Sequence, residues 1–262
     1  MHMLYVIEKI KSKGGMRMIW KISIKLCLCF LLPMLTFSNA LAQEPVPGPG
    51  SQTLVDTLKD PKAKLNARYD PNYTLYCSAV LINPNTWLTA KHCAGNEEKT
   101  GYIGAVYPGQ SGTSTPFGMM NISTYKPDPG VDIAILKGTD ADKSAAYKHY
   151  IVGLETEIVA YDLDQLKALK GQAVYSYGYP GDKGETKQYR SDGVITSVNP
   201  ITKEISTTMP ASAGQSGSGV FLGDGRFLGI LYGNENRTTY KSAKVQPIDQ
   251  RLKTWIDRNK SE

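Results

Sequence analysis

An all-β fold closed by one terminal helix is what this sequence predicts, on three observations. First, from Tyr76 onward the apolar runs are short and punctuated: CSAVLI before NPN, then WLTA, GYIGAVYPG, DIAIL, QAVYSYGYPGD, DGVITSV, SGVFLGDG and RFLGILYG. Runs of about four to eight residues bounded by Gly, Pro, Asn and Asp suit the strands of a sandwich or barrel. Second, helical spacing is confined to residues 162–169 and 247–259, where Ile248, Leu252, Trp255 and Ile256 recur on one face. Third, 262 residues with 41% apolar and 21% charged side chains suit two barrels better than one.

Residues 1–42 read as an export signal. A basic start after Met16 or Met18 leads into the uncharged run LCLCFLLPMLTFSNALA, whose small residues Ala40 and Ala42 predict cleavage after Ala42. As a membrane anchor the run is at the short limit of the roughly 17 to 25 residues that span a bilayer, and Pro33, Ser38 and Asn39 weaken it further. Six of the 30 basic and one of the 24 acidic residues lie before residue 43, so removing the signal leaves 24 against 23 and turns a net +6 into +1. A near-neutral chain has no electrostatic basis for gripping a polyanion. The expectation is a secreted or periplasmic protein with no nucleic-acid partner and no membrane contact after cleavage; no feature of the chain specifies an oligomer.

Next comes QEPVPGPGSQ, too rich in Pro and Gly for helix or ladder, and residues 43–60 read as a linker or short pro-segment. The globular region is then 61–262, with an N-terminal barrel over about 61–155, a C-terminal barrel over about 170–246 and the helix at 247–259. Beyond the signal only Cys77 and Cys93 remain. In an oxidising compartment such a pair predicts one disulfide closing a short loop.

Three constellations carry chemistry. In WLTAKHCAG, His92 follows a strand-like run and abuts Cys93; of the three histidines, His2 leaves with the signal and His149, in SAAYKHYIV, has no supporting context. In VDIAILKG, Asp132 opens an apolar strand after the turn KPDPG. A carboxylate entering a buried strand needs a partner such as an imidazole or backbone N–H, unless it merely caps the turn. In ASAGQSGSGVF, Gly214, Gly217 and Gly219 surround Ser216. Such a loop turns tightly and aims successive N–H groups into one concavity, supplying a nucleophile and, from the N–H groups of Gly214 and Ser216, an oxyanion hole. Composition alone also suits a flexible turn.

The order His92, Asp132, Ser216, with separations of 40 and 84, resembles that of chymotrypsin-like serine proteases. TAKHC resembles the family's TAAHC, DIAIL its DIALL and GQSGSG its GDSGG. GYPGDK at 178–183, GQSGSGVF and GILYG at 229–233 are most similar to the bacterial glutamyl endopeptidase and exfoliative toxin branch. The resemblance spans roughly residues 70–258 and implies two six-stranded antiparallel β-barrels with the site between them and a C-terminal helix. It further implies Ser216 as nucleophile, His92 as proton carrier and Asp132 as the group that fixes the His92 tautomer. The substrate would be a protein or peptide, with no cofactor and no metal, since both mature cysteines are expected in the disulfide. A catalytically silent binding protein of the same fold is the alternative.

Departures from the family pattern bear on specificity and activation. Gln215 stands where trypsin-type enzymes carry the Asp that pairs with a newly cut amino terminus, so no such ion pair forms. Pro210, six residues before the serine, replaces the Asp of enzymes that cut after Arg or Lys. Ala211 and Leu231 replace the Thr and His with which glutamyl endopeptidases read a substrate carboxylate. With Tyr232 and Gly233 they imply a small or apolar pocket. Counting back from TWID, similar to the family's SWIK, brings Lys244 to the pocket, where an ammonium would favour acidic substrates.

Overall fold

In the computed structural model, which describes residues 48–71, 75–184, 186–236 and 240–260, the punctuated runs become strands. The expected signal and its cleavage site lie outside the described residues. In chain order the elements are β1 (Ser51–Leu54), β2 (Asn66–Asp70), β3 (Cys77–Asn83), β4 (Thr86–Thr89), β5 (Lys99–Thr100), β6 (Ala105–Pro108), β7 (Met120–Asn121), β8 (Thr124–Pro127) and β9 (Ala134–Lys137). Helices α1 (Ala145–Tyr150) and α2 (Leu163–Ala168) follow. Then come β10 (Ala173–Gly178), β11 (Tyr189–Val198), β12 (Ile205–Pro210), β13 (Gly219–Leu222), β14 (Phe227–Asn236), β15 (Lys241–Pro247) and α3 (Gln250–Lys260).

The N-terminal strands form an antiparallel sheet in the order β5-β8-β9-β4-β3-β2-β6-β7. Here β5 with β6, and β7 with β8, are two interrupted strands. Ile103 N–H donates to the Ile122 carbonyl and Ile122 N–H to the Gly104 carbonyl, both at 2.8 Å, so the ladder continues across the breaks and the sheet's ends meet. Trp87, Tyr125, Tyr147, Leu88 and Ile135 are fully buried inside it. Two of these aromatics satisfy each other's polar atoms, with Trp87 Nε1–H donating to Tyr147 Oη at 2.9 Å.

The C-terminal strands close completely, in the order β11-β10-β13-β14-β15-β12 with β12 paired back onto β11. Because β12 takes β11 only from Ile195 to Val198, the stretch from Tyr189 to Asp192 keeps a free side. Strand β1 fills it, Ser51 opposite Asp192 and Leu54 opposite Tyr189. Within 43–60, expected as a linker or short pro-segment, the backbone over Ser51–Leu54 is a ladder strand, because an open edge of β11 offers its polar groups a partner.

The helices refine the expected spans. Asp162 and Gln165 form a capping box on α2, within the expected 162–169. Helix α3 begins at Gln250 rather than 247, because Pro247 still belongs to β15 and Asp249 caps the helix, its Oδ1 accepting Leu252 N–H at 2.9 Å. Ile248, Leu252 and Ile256 are buried as the spacing requires. Helix α1 was not expected. It is one Ser144-capped stretch of six residues, too short to display a period. His149 lies exposed on it, edge-on to Tyr150.

Cys77 and Cys93 form the expected disulfide, 16 residues apart. Closing a loop of that size removes unfolded-state entropy worth about 3 kcal/mol. Reduction is therefore expected to lower the melting temperature by several degrees; equal melting curves with and without reductant would remove the bridge from the account of stability.

Candidate active site

His92 sits in a single 3₁₀ turn, Lys91–Cys93, directly after β4. The disulfide holds that turn on one side. On the other, the buried Tyr125 hydroxyl is shared between the Lys91 and Gly95 carbonyls at 2.8 and 2.6 Å. The imidazole is left about half exposed, at 49%. Asp132 stands two residues before β9, at the end of the KPDPG turn. That turn is organised by Asp128, which is fully buried. Its Oδ1 accepts the Gly130 and Val131 N–H groups at 2.9 Å, and Arg251 of α3 grips the carboxylate through both terminal nitrogens at 2.8 and 3.0 Å. Lys91 Nζ donates to the Asp128 carbonyl at 2.9 Å, tying this turn to the one bearing His92.

The two side chains meet. Asp132 Oδ1 accepts the His92 backbone N–H at 2.9 Å, and Oδ2 lies 2.7 Å from His92 Nδ1. An ionised carboxylate can only accept, so the ring must donate from Nδ1, which leaves Nε2 as the acceptor. Burial pushes the Asp132 carboxyl up, but the hydrogen bonds from the His92 ring and backbone outweigh it and hold the group below the ordinary 3.8. Asp128 is likewise held low: burial opposes, while Arg251 and the Gly130 and Val131 N–H groups favour the anion.

These lowered values fix a sign. A carboxyl whose folded pKa is depressed adds stability that is complete above the unfolded value and disappears as pH falls through the folded one. Thermal stability should therefore hold from neutrality down to about pH 4 and decline below it. Asp128→Asn should flatten that decline; an unchanged acid slope in this variant would contradict the role given to the Arg251 pair.

The serine loop joins β12 to β13. Four of its residues, Ser212 to Gln215, form a turn closed by Gln215 N–H donating to the Ser212 carbonyl at 3.3 Å. Gly214 has φ +90°, the sign that a type II turn demands at its third position. A Cβ there would also run into the Tyr179 carbonyl and the Tyr76 ring. The orientation of each peptide follows from where its carbonyl goes. Ala213 C=O accepts Gly181 N–H at 2.8 Å, and Gln215 C=O accepts Ser218 N–H at 3.0 Å. In a trans peptide N–H and C=O point opposite ways, so the N–H groups of Gly214 and Ser216 are turned away from these partners. Among the described residues neither N–H has an acceptor.

One residue that sequence reasoning missed holds this loop to the N-terminal barrel. Ser78, fully buried beside Cys77, donates its N–H to the Ser216 carbonyl at 2.8 Å and its hydroxyl to the Gly214 carbonyl at 2.9 Å. It also accepts Tyr179 N–H at 3.1 Å. The approach is close enough that a Cβ on Gly217 would strike the Ser78 carbonyl and Thr89 Oγ1. Ser216 therefore lies against the residue next to Cys77, whose disulfide partner adjoins His92. Among the described residues no hydrogen bond joins Ser216 Oγ to His92, a contact that unliganded sites often leave long.

The residues assigned to the substrate pocket separate into two groups. Ala211 and Leu231 are buried in the C-terminal core at 6% and 1% exposure. Tyr232 is half-buried, and its hydroxyl donates to Glu204 Oε1 at 2.5 Å. Burial and that carboxylate push the phenol well above its ordinary range. Gly233 faces open space and pairs with Lys244 across β14 and β15. Lys244 is half-buried, and among the described residues its side chain has no ion pair or hydrogen bond. Sulfurs of Cys77 and Cys93 and a ring nitrogen of His92 come within 4.8 Å of one another. Both sulfurs are committed to the disulfide, so neither is a thiolate ligand.

The family profile of the trypsin-like peptidase domain matches residues 77–230, more than half the chain. The chain belongs to the trypsin-like peptidase family. It is similar to glutamyl endopeptidase of Bacillus licheniformis, 31% identical over 147 residues, 55% of this chain and 45% of that protein. It is also similar to exfoliative toxin A of Staphylococcus aureus, 28% identical over 182 residues, 66% of this chain and 58% of the toxin. The chain thus spans about half the length of the curated relatives it matches. Among solved structures, a Glu endopeptidase in complex with MPD aligns with a TM-score of 0.66 at 20% identity, covering 83% of this chain and all of the other. Protease Anisep of Arthrobacter nicotinovorans aligns at 0.62 and 14% identity, covering 81% and 100%. At these identities the likeness establishes the chymotrypsin-like fold of this trypsin-like peptidase.

Proposed function

We propose that the chain is an exported serine endopeptidase that hydrolyses peptide bonds through Ser216, His92 and Asp132. The observation that carries this reading is the His92–Asp132 clamp, because two hydrogen bonds donated by one residue to one carboxylate fix both the ring's orientation and its tautomer. In the mechanism that follows, Nε2 of His92 takes the Ser216 hydroxyl proton as Oγ attacks the substrate carbonyl carbon. The carbonyl oxygen becomes an oxyanion received by the Gly214 and Ser216 N–H groups. Nε2 then returns the proton to the leaving amine as the C–N bond breaks, giving an acyl-enzyme that water resolves by the same route. Asp132 stays ionised and stabilises the imidazolium. No cofactor or metal enters any step.

For specificity we propose a small, apolar or acid-preferring pocket. The open space at Gly233 and the Lys244 side chain, which has no ion pair among the described residues, support it, and Pro210 offers no carboxylate for a basic side chain. Digestion of a peptide library varied at the residue before the scissile bond tests the reading. Cleavage after small, apolar or acidic residues, with little after Arg or Lys, is expected; preferential cleavage after Arg or Lys would overturn the pocket assignment, and no cleavage at all would favour a silent binding protein.

A further inference from the structure

Strand β1 brings an amide to the back of the serine loop. Gln52 lies opposite Ser191 in the β1–β11 ladder, and its Nε2 donates to Ser191 Oγ at 3.0 Å and to Gln215 Oε1 at 3.4 Å. Gln215 Nε2 donates to the same Ser191 hydroxyl at 3.2 Å, which closes a triangle of three neutral side chains. Gln215 and Ser191 are fully buried. A further bond leads from the triangle to the site: Gln215 Oε1 accepts Ser212 N–H at 2.9 Å, across the turn that orients the Gly214 peptide. The end of this relay and the proposed oxyanion hole are therefore parts of one four-residue turn.

We infer that Gln52 is a positioning residue for the oxyanion loop, and that β1 is a strut of the working enzyme rather than a dispensable leader. The inference rests on the proposed protease function. A buried amide such as Gln215 has four hydrogen-bonding sites, and its orientation holds only while neighbours satisfy them. Gln52 supplies a donor to Gln215 Oε1 and fixes the Ser191 hydroxyl that Gln215 Nε2 needs. Without it, Gln215 can rotate away from Ser212 N–H, the turn loosens, and the Gly214 N–H loses its aim. Because every group in the relay is neutral and β1 is covalently part of the chain, the support requires neither a charged amino terminus nor a cut next to it. Cleavage after Ala42 would leave the strut whole, whereas cleavage inside 55–60 would sever it.

The test compares wild type, Gln52→Ala and Thr53→Ala, the last on the opposite face of the same strand and exposed. Peptide hydrolysis, the rate of fluorophosphonate labelling, melting temperature, and hydrogen exchange of the 211–217 segment are measured for each. Gln52→Ala should lower kcat and the labelling rate about fivefold, the worth of one hydrogen bond, with KM and melting temperature close to wild type. It should also speed exchange within 211–217, while Thr53→Ala changes none of these. Unchanged kcat and exchange in Gln52→Ala would overturn the inference, as would equal losses in Thr53→Ala. A wild type that neither hydrolyses nor labels would fail the protease reading alone. The exchange comparison still decides the role of Gln52 in that event.

Discussion

Ser216→Ala is expected to abolish peptide hydrolysis while leaving the melting temperature unchanged. In the proposed mechanism the hydroxyl forms the acyl bond, and removing the nucleophile from a serine protease costs about a millionfold in kcat. What remains is the roughly thousandfold to ten-thousandfold help over water that an oxyanion hole and substrate binding give by themselves. Stability should be untouched because the loop is held through groups that alanine keeps. The Ser216 carbonyl still accepts Ser78 N–H, and Gly217 N–H still donates to the Leu231 carbonyl at 2.7 Å. Ser216 is also only partly buried, so the lost oxygen leaves no deep cavity. Turnover assays and thermal melts on the same preparation check both halves; retained turnover would remove Ser216 from the mechanism.

Asp132→Asn is expected to lower kcat about ten-thousandfold with little change in fold. Asparagine is nearly isosteric, and its Oδ1 can still accept the His92 backbone N–H that Asp132 accepts at 2.9 Å. Its amide nitrogen then faces His92 Nδ1, where the carboxylate oxygen stood at 2.7 Å. Two donors cannot share that bond, so the ring moves its proton to Nε2 and presents a donor to Ser216 instead of an acceptor. The protein also loses the anion that favours the imidazolium in the transition state. A drop of only a few fold, with substrate affinity intact, would mean that the clamp does not set the tautomer.

The parts of this site legible in the sequence are those built from scarce residue types in a fixed order. Histidines are few, and the Asp and the Gly-flanked Ser each sit at the mouth of an apolar run in the order that resembles the family's, so His92, Asp132 and Ser216 stood out as candidates, and the structure brings the first two into contact. The Cys77–Cys93 bridge was legible for the same reason. Ser78 and Gln52 were not. Each is a common polar residue whose role arises only when strands far apart in sequence are brought together, 136 positions for the Ser78–Gly214 bond and 163 for Gln52–Gln215. Strand β1 hid behind its Pro and Gly neighbours, because ladder pairing to an open edge can impose extended structure on a segment with no apolar alternation.

The central claim is that Ser216 is an activated nucleophile. Intact mass after treatment with a fluorophosphonate, on the wild type and on Ser216→Ala and His92→Ala, tests it most directly. One phosphonyl adduct on wild type and none on either variant is the result this account predicts. A folded wild type that takes no adduct, or an adduct that persists in Ser216→Ala, would contradict it.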